Sequence, residues 1–182
     1  MLELVTINEE NENSELPLEI LYDAFDYFPS GIWAEIKFHG NINLDSDLEI
    51  NVREEVYGAF LFNRLIVKVR ELKKMLRVGE LLLALTNDPV IFIYHRFVSR
   101  GFKRRTGIVR DYVSKDVGVV SLFEMDEKTA TRIAAHGLGH NRGLIHHDEP
   151  LDLMYVGLLN GIKVDKNGFC DDCERKLEKT IV

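Results

Sequence analysis

The feature that most constrains this chain is a run of histidines and glycines near its C-terminal end. Four of the six histidines among the 182 residues lie within the twelve residues from position 136 to position 147. His136 and His140 are four residues apart, so on a helix their imidazoles leave the same face, one turn apart. Two imidazoles placed in this way can bind one metal ion, which predicts a metal-binding helix here.

His146 lies ten residues after His136 and would point elsewhere if that helix continued. Gly143 lies in between, and glycine tolerates the left-handed conformation that ends many helices. A turn at Gly143 can therefore bring His146 back as a third ligand. Three neutral histidines leave a fourth position for water, which is typical of catalytic zinc sites. The alternative is that His136 and His140 are packed helix residues and that His146 lies on the surface.

The rest of the chain shows an alternation of strand and helix patterns. Apolar runs and period-two patterns predict strands at 2–7, 31–38, 81–85, 90–94 and 117–123. Helical spacing predicts helices at 16–27, 52–76 and 173–178, and a further helix at 127–141. Asp126 is expected to cap the last of these. The basic stretch from Arg100 to Arg105 is interpreted as a solvated loop.

This order predicts an α/β fold with a mixed (α+β) layer of strands and helices. We expect an N-terminal α/β subdomain at residues 1–143, which ends in the metal-binding helix. The remaining residues, 144–182, carry few periodic patterns and are expected to form a small irregular C-terminal subdomain.

Composition limits the function classes. Apolar residues make up 46% of the chain, enough for a core, but no apolar run approaches the ~18 residues of a membrane span. The net charge of 23 − 30 = −7 disfavours binding to nucleic-acid backbones. Two cysteines cannot form a secreted disulfide framework, and the first residues lack the basic region of a signal peptide. We therefore expect a cytoplasmic protein with reduced cysteines and no nucleic-acid or membrane partner.

The histidine segment resembles the metzincin zinc-peptidase signature, His-Glu-x-x-His-x-x-Gly-x-x-His followed by a Met turn. Within that clan it is most similar to the archaemetzincins. Their third histidine is followed by Cys, four residues, Cys, one residue and Met, and a Cys-x-x-Cys pair comes later. At the same spacing this chain has His147, Asp152 and Met154, and Cys170 and Cys173 complete the pattern. The segment between Met154 and the cysteine pair is slightly shorter than in the family.

The resemblance implies a twisted mixed sheet with flanking helices, and an active-site helix that runs beneath the edge strand of the sheet. It implies zinc as the cofactor and a peptide or protein as the substrate. The residues expected to bind the first zinc ion are His136, His140 and His146. Met154 would pack as an apolar floor beneath them, and Gly143 would make the turn.

The resemblance also implies a second, structural zinc site, which consists of four cysteines in the family. The corresponding residues here are His147, Asp152, Cys170 and Cys173. Nitrogen and oxygen donors are legitimate zinc ligands, so we expect a second zinc ion. Two alternatives are a site without metal and a redox-active thiol pair. The adjacent Asp171 and Asp172 disfavour a thiolate and therefore the redox alternative.

The main departure from the family is Gly137, which stands where the metzincins have their catalytic glutamate. That carboxylate is the general base, and losing such help typically costs about 10²–10⁴-fold in rate. We therefore expect a zinc metallopeptidase whose activity is weak or lost. The alternatives are a non-catalytic protein that binds zinc and peptide, and a protein whose metals are only structural. Full activity would require a substitute carboxylate, for example from Asp148, Glu149 or Glu124.

Overall fold

The computed structural model describes residues 1–9, 15–98, 101–148, 150, 152–160 and 168–180. The strands described within these ranges are β1 (Leu2–Ile7), β2 (Ile36–Ile42), β3 (Leu48–Val52), β4 (Glu55–Leu61), β5 (Leu82–Thr86), β6 (Val90–Val98), β7 (Gly101–Ile108), β8 (Asp111–Val113) and β9 (Val117–Ser121). The α-helices are α1 (Glu15–Phe25), α2 (Phe62–Leu76), α3 (Glu127–Asn141) and α4 (Asp171–Glu178), and a short 3₁₀ helix covers Val156–Asn160. None of the described helices combines the length and the apolarity that spanning a membrane requires.

The main sheet has five strands in the order β2-β1-β5-β9-β8. The first four run parallel, and β8 pairs antiparallel with β9 at the edge. Both faces of the central strands are buried, as a parallel sheet with helical crossovers requires. On β5, for example, Leu83 packs with α1 and α3, whereas Leu82 packs with α2 on the opposite face. The predicted mixed α/β architecture is therefore confirmed.

The second sheet has the strand order β3-β4-β6-β7. The hairpins β3–β4 and β6–β7 are antiparallel, and a short parallel pairing joins β4 to β6. The predicted loop at residues 100–105 is wrong for residues 101–105, which belong to β7. Each of them pairs with a residue of β6, as His95 does with Arg104, so the backbone is held by a ladder of hydrogen bonds. Arg100 lies outside the described residues.

Two other predicted elements begin well after the expected residue. The helix predicted at 52–76 begins only at Phe62, because Arg53 at φ 56° makes a tight turn into β4 and Phe60 is buried in that strand. The strand predicted at 31–38 begins at Ile36. Before it, Trp33 packs against Phe25 in the core, with their ring centroids 5.8 Å apart.

Helix α3 begins and ends as predicted. The Asp126 carboxylate accepts a hydrogen bond from the backbone N–H of Thr129, at 2.8 Å, and so caps the helix. One side of α3 packs on α1, and α3 also contacts the edge strand β8. This agrees with the expected position of the active-site helix beneath the edge strand. The C-terminal half of α3, from Ile133 to Gly139, is buried.

The described residues after position 143 share the core of α1 and α3. Leu153, Phe169 and Leu177 all belong to that cluster and are almost fully buried. The division into subdomains at residues 1–143 and 144–182 stays a prediction.

Candidate metal centres

The structure brings the side chains of His136, His140 and His146 together, and we call this group the histidine site. The Nε2 atom of His146 lies 3.0 Å from Nε2 of His140 and 3.0 Å from Nε2 of His136. Three nitrogens bound at 2.0–2.1 Å to one tetrahedral zinc ion lie about 3.3 Å apart. The three imidazoles are therefore spaced for a single small cation.

Helix α3 and the turn after it produce this convergence. His136 and His140 lie one turn apart on α3. Gly143 adopts φ 86°, in the left-handed region that L side chains rarely adopt, and the chain reverses there. The reversal returns His146 to the ends of the two helix imidazoles.

Two of the rings are held in a defined orientation by hydrogen bonds from Nδ1. His136 Nδ1–H donates to Asp111 Oδ2 at 2.8 Å, and His140 Nδ1–H donates to the carbonyl of Leu144 at 2.9 Å. With the proton of a neutral ring on Nδ1, the lone pair is on Nε2. At least two lone pairs thus face the centre of the site, where a cation would satisfy both. The donor set of the histidine site therefore fits zinc.

The local environment favours the neutral form of two of the rings, those of His140 and His146. Burial lowers the pKa of His140, and the neighbouring His136 lowers that pKa further. Burial also lowers the pKa of His146, again with a contribution from His136. Neutral imidazole is the form that binds a metal.

A cavity of about 410 Å³ opens beside the histidine site. Besides the three histidines its lining comprises Asp111, Tyr112, Val113 and Leu159. The cavity leaves room for a fourth ligand, and His146 is exposed towards solvent. Among the lining residues that the structure describes, only Asp111 carries a carboxylate.

Asp111 is a site residue that the sequence does not predict. It belongs to no motif and lies in the three-residue strand β8. Its place beside the site results from the antiparallel pairing of β8 with β9, which carries the strand over α3. No local pattern in the sequence could have shown this long-range pairing.

Gly137 faces Asp111 and Val113. A Cβ atom at position 137 would lie 2.7 Å from Val113 Cγ2 and 3.0 Å from Asp111 Oδ2. The place of the family's catalytic glutamate is thus adjacent to the edge strand.

The carboxylates considered above as substitutes for that glutamate do not line the cavity where they are described. Glu124 forms an ion pair with Arg53 at 3.8 Å and lines a neighbouring cleft. Asp148 is exposed, and Glu149 lies outside the described residues.

Met154 is fully buried and packs against α3 close to the histidines. A Cβ atom at Gly139 would lie 3.0 Å from the Met154 sulfur, so the glycine allows the methionine to approach the helix. The contact places an apolar side chain against the helix that carries His136 and His140, and its role as a floor under the histidine site stays a prediction.

We expect Met154→Ala to lower the free energy of unfolding by about 2–5 kcal/mol, since it removes a buried side chain and leaves a cavity. Met154→Leu, which nearly conserves volume, should cost less than about 1.5 kcal/mol. Urea unfolding monitored by circular dichroism measures both values. Equal losses in the two variants would contradict the packing role.

A second group of potential ligands lies close by, and we call it the cysteine site. His147 Nε2 lies 3.2 Å from Asp152 Oδ1, 3.4 Å from Cys173 Sγ and 3.9 Å from Cys170 Sγ. All four ligand atoms lie within 4.8 Å of one another. A zinc ion with Zn–N of ~2.0 Å and Zn–S of ~2.3 Å requires N···S distances of about 3.6 Å, which this group matches.

The carboxylate of Asp152 joins the two halves of the cysteine site. Asp152 is fully buried; its Oδ1 accepts the backbone N–H of Met154 at 2.8 Å, and its Oδ2 accepts that of Cys170 at 2.7 Å. Burial raises the pKa of the Cys173 thiol, and the negative charge of Asp152 raises it further. This environment disfavours a reactive thiolate. A buried carboxylate is stabilised by a cation bound next to it. Together with the two thiols and the imidazole, it forms a set of donors that fits zinc.

Comparison with protein-family models and with curated proteins found no match for this chain. Solved structures do match it over nearly its full length. An archaemetzincin from Methanopyrus kandleri is 22% identical with a TM-score of 0.62, and the match covers 99% of this chain and 94% of that one. A zinc-dependent peptidase from Methanocorpusculum labreanum is 14% identical with a TM-score of 0.56, at 97% and 100% coverage. An archaemetzincin from Archaeoglobus fulgidus, solved with malonate, is 16% identical with a TM-score of 0.52, at 97% and 99% coverage. The chain therefore has the archaemetzincin fold.

Proposed function

We propose that this protein binds zinc on an archaemetzincin scaffold and hydrolyses peptide bonds weakly or not at all. The observation that carries the proposal is the convergence of three imidazole Nε2 atoms beside a cavity. The one carboxylate among the described residues of its lining, Asp111, is already hydrogen-bonded to Nδ1 of His136. Three histidines are grouped as a metal would require, whereas the described residues that line the cavity offer no free carboxylate to move a proton for the reaction.

The residues of the histidine site have distinct roles in this proposal. His136, His140 and His146 hold the ion, while Asp111 and the carbonyl of Leu144 orient two of the rings. When bound, zinc supplies a Lewis acid for a peptide carbonyl and lowers the pKa of a coordinated water to about 7. The Asp111 oxygen that bonds Nδ1 of His136 lies on the side of the ring opposite to Nε2. That oxygen is therefore engaged by the ring and is not free to take a proton at the metal.

The proposed ligand is a peptide or protein, as the resemblance to metallopeptidases suggests. Strand β8 is the last strand in the described order of the five-stranded sheet, and its residues line the cavity. An extended peptide could pair with this edge by β-addition and cross the cavity. The expected lack of nucleic-acid and membrane partners stays a prediction from composition.

Of the alternatives, the non-catalytic protein that binds zinc and peptide is favoured by Gly137. A purely structural role for the histidine site is disfavoured because structural zinc sites normally have a fourth protein ligand. Among the described residues, the group of potential ligands at this site consists of the three histidines alone.

Metal content tests the first part of the proposal. We expect two zinc equivalents per chain, one of which is lost in His140→Ala and the other in Cys173→Ser. Zinc measured by atomic emission after desalting reports the stoichiometry. If His140→Ala kept both equivalents, the histidine site would not be a zinc site.

Hydrolysis of a mixed peptide library tests the second part. The zinc-loaded protein is expected to cleave little more than the His140→Ala control. Cleavage with kcat/KM above about 10⁴ M⁻¹s⁻¹, the lower end of ordinary enzymes, that disappears in His140→Ala would contradict the proposed loss of activity.

A further inference from the structure

At the histidine site the side chain of Asp111 lies against Gly137, and the position of each limits what the other can be. We infer that Asp111 is the positioning residue that orients His136 for the metal, and that residue 137 is glycine because Val113 and the Asp111 carboxylate occupy the adjacent space. The inference deepens the proposed function and rests on it, because it concerns how this chain holds zinc.

The contact between Asp111 and His136 is short and buried. Asp111 Oδ2 accepts the Nδ1–H of His136 at 2.8 Å, and the two side chains are only 2% and 1% exposed. A carboxylate on the distal nitrogen fixes the tautomer and the ring orientation and makes Nε2 a stronger donor to a metal. His140 donates the corresponding hydrogen bond from Nδ1–H to a backbone carbonyl, that of Leu144. Within the described residues, Asp111 is thus the ionisable side chain that orients a ligand of this site.

The geometry of β8 explains how the carboxylate reaches the histidine. Asp111 pairs with Val120 and Val113 pairs with Gly118 in the antiparallel ladder. Residues two apart in a strand leave the same face, so Asp111 and Val113 both point towards α3. They meet the helix at position 137, directly after His136.

Gly137 makes this approach possible. A Cβ atom there would meet Asp111 Oδ2 at 3.0 Å and Val113 Cγ2 at 2.7 Å, both closer than ordinary van der Waals contact. Both neighbours are nearly buried, so neither can move freely into solvent. A side chain at position 137 therefore requires Val113 to move and displaces the Asp111 carboxylate from its present position against His136. In this chain the carboxylate beside His136 is that of Asp111. It orients a metal ligand and takes no part in the reaction.

Removal of the carboxylate should weaken metal binding. We expect Asp111→Ala to lower the zinc affinity of the histidine site by about 10–100-fold, the usual effect of losing such a partner. Asp111→Asn should recover part of this loss, since an amide oxygen can accept the same hydrogen bond. Asp148→Asn is the matched control, because it removes an equal charge from an exposed residue nearby. Competition titration with a chromogenic chelator, with Co²⁺ absorption to separate the two sites, gives the affinities.

The tautomer of His136 gives a reading that does not depend on metal. In the zinc-free protein, ¹⁵N NMR of the imidazoles should show His136 with its proton on Nδ1. In Asp111→Ala the proton should move towards Nε2, whereas in Asp148→Asn it should stay. If the native chain bound no zinc at the histidines, the proposed function would be wrong, and this measurement would still decide whether Asp111 orients the ring.

The dependence on glycine is tested in the Val113→Ala background, in which the new Cβ atom meets chiefly Asp111. There, Gly137→Ala should reduce zinc affinity about as much as Asp111→Ala does, again about 10–100-fold. In the Val113→Ala/Asp111→Ala background, Gly137→Ala should have almost no further effect, as expected of two changes that remove one interaction. Additive losses would overturn the link between the two residues. An Asp111→Ala variant with unchanged affinity and tautomer would overturn the positioning role itself.

Discussion

The Gly137→Glu variant is expected to hydrolyse peptides no faster than the natural chain, although it restores the glutamate of the metzincin pattern. Its Cβ atom would lie 2.7 Å from Val113 Cγ2 and 3.0 Å from Asp111 Oδ2. Overpacking of this kind shifts side chains and backbone and costs about 1–3 kcal/mol. A general base must lie within hydrogen-bond reach of the proton that it removes. A glutamate displaced by these contacts would lie outside that reach.

Activity should appear when the space is opened at the same time. The combined variant Gly137→Glu/Asp111→Ala/Val113→Ala removes both contacts, and we expect its kcat/KM to exceed that of the natural chain by about 10²–10⁴-fold. The assay needs saturating zinc, because Asp111→Ala weakens the metal site. A fluorogenic peptide library provides the substrate.

Two controls make this comparison specific. The double variant Asp111→Ala/Val113→Ala has the space without the carboxylate and should stay at the level of the natural chain. Adding His140→Ala to the combined variant should abolish any gain. If Gly137→Glu alone were as active as the combined variant, the contacts at position 137 would be easily relieved, and the steric argument would fail.

The candidate site was largely predictable from the sequence because its ligands are local. His136, His140 and His146 lie within eleven residues, and helix geometry together with one glycine turn is enough to bring them together. Their binding of zinc stays a prediction. Asp111 was not predictable, because its position depends on the pairing of β8 with β9 and on the packing of both against α3.

The same distinction holds for the fold. Helix α3 was predicted with its boundaries because Asp126 is a clear capping residue. The sequence pattern predicts a helix where β4 lies, because the turn before it uses Arg53 at a positive φ, where glycine or asparagine would signal a hairpin. Strand β7 was interpreted as a loop because its exposed basic residues resemble a solvated segment, although backbone pairing with β6 defines it.

Zinc is expected to stabilise this protein mainly through the cysteine site. The site joins the segment after the third histidine to the start of α4, through His147, Asp152, Cys170 and Cys173. Asp152 is fully buried, and the pKa of Cys173 is raised, so in the absence of a cation a buried charge lies beside a neutral thiol. An ion bound only by the folded state stabilises it by about 4 kcal/mol when its concentration is 1,000 times Kd.

The expected result is a rise of about 4 kcal/mol in the free energy of unfolding under these conditions, measured by urea unfolding with and without zinc. Cys173→Ser should lose most of this increase. His140→Ala should keep it when the free zinc concentration lies below the Kd of the three-ligand histidine site, because an ion stabilises the fold only where it is bound. Comparing the zinc-dependent increase in the two variants shows which ion holds the C-terminal segment in place and which is bound at the open cavity. If instead His140→Ala lost the increase and Cys173→Ser kept it, the histidine site would be the structural one, and the proposed division of roles would be wrong.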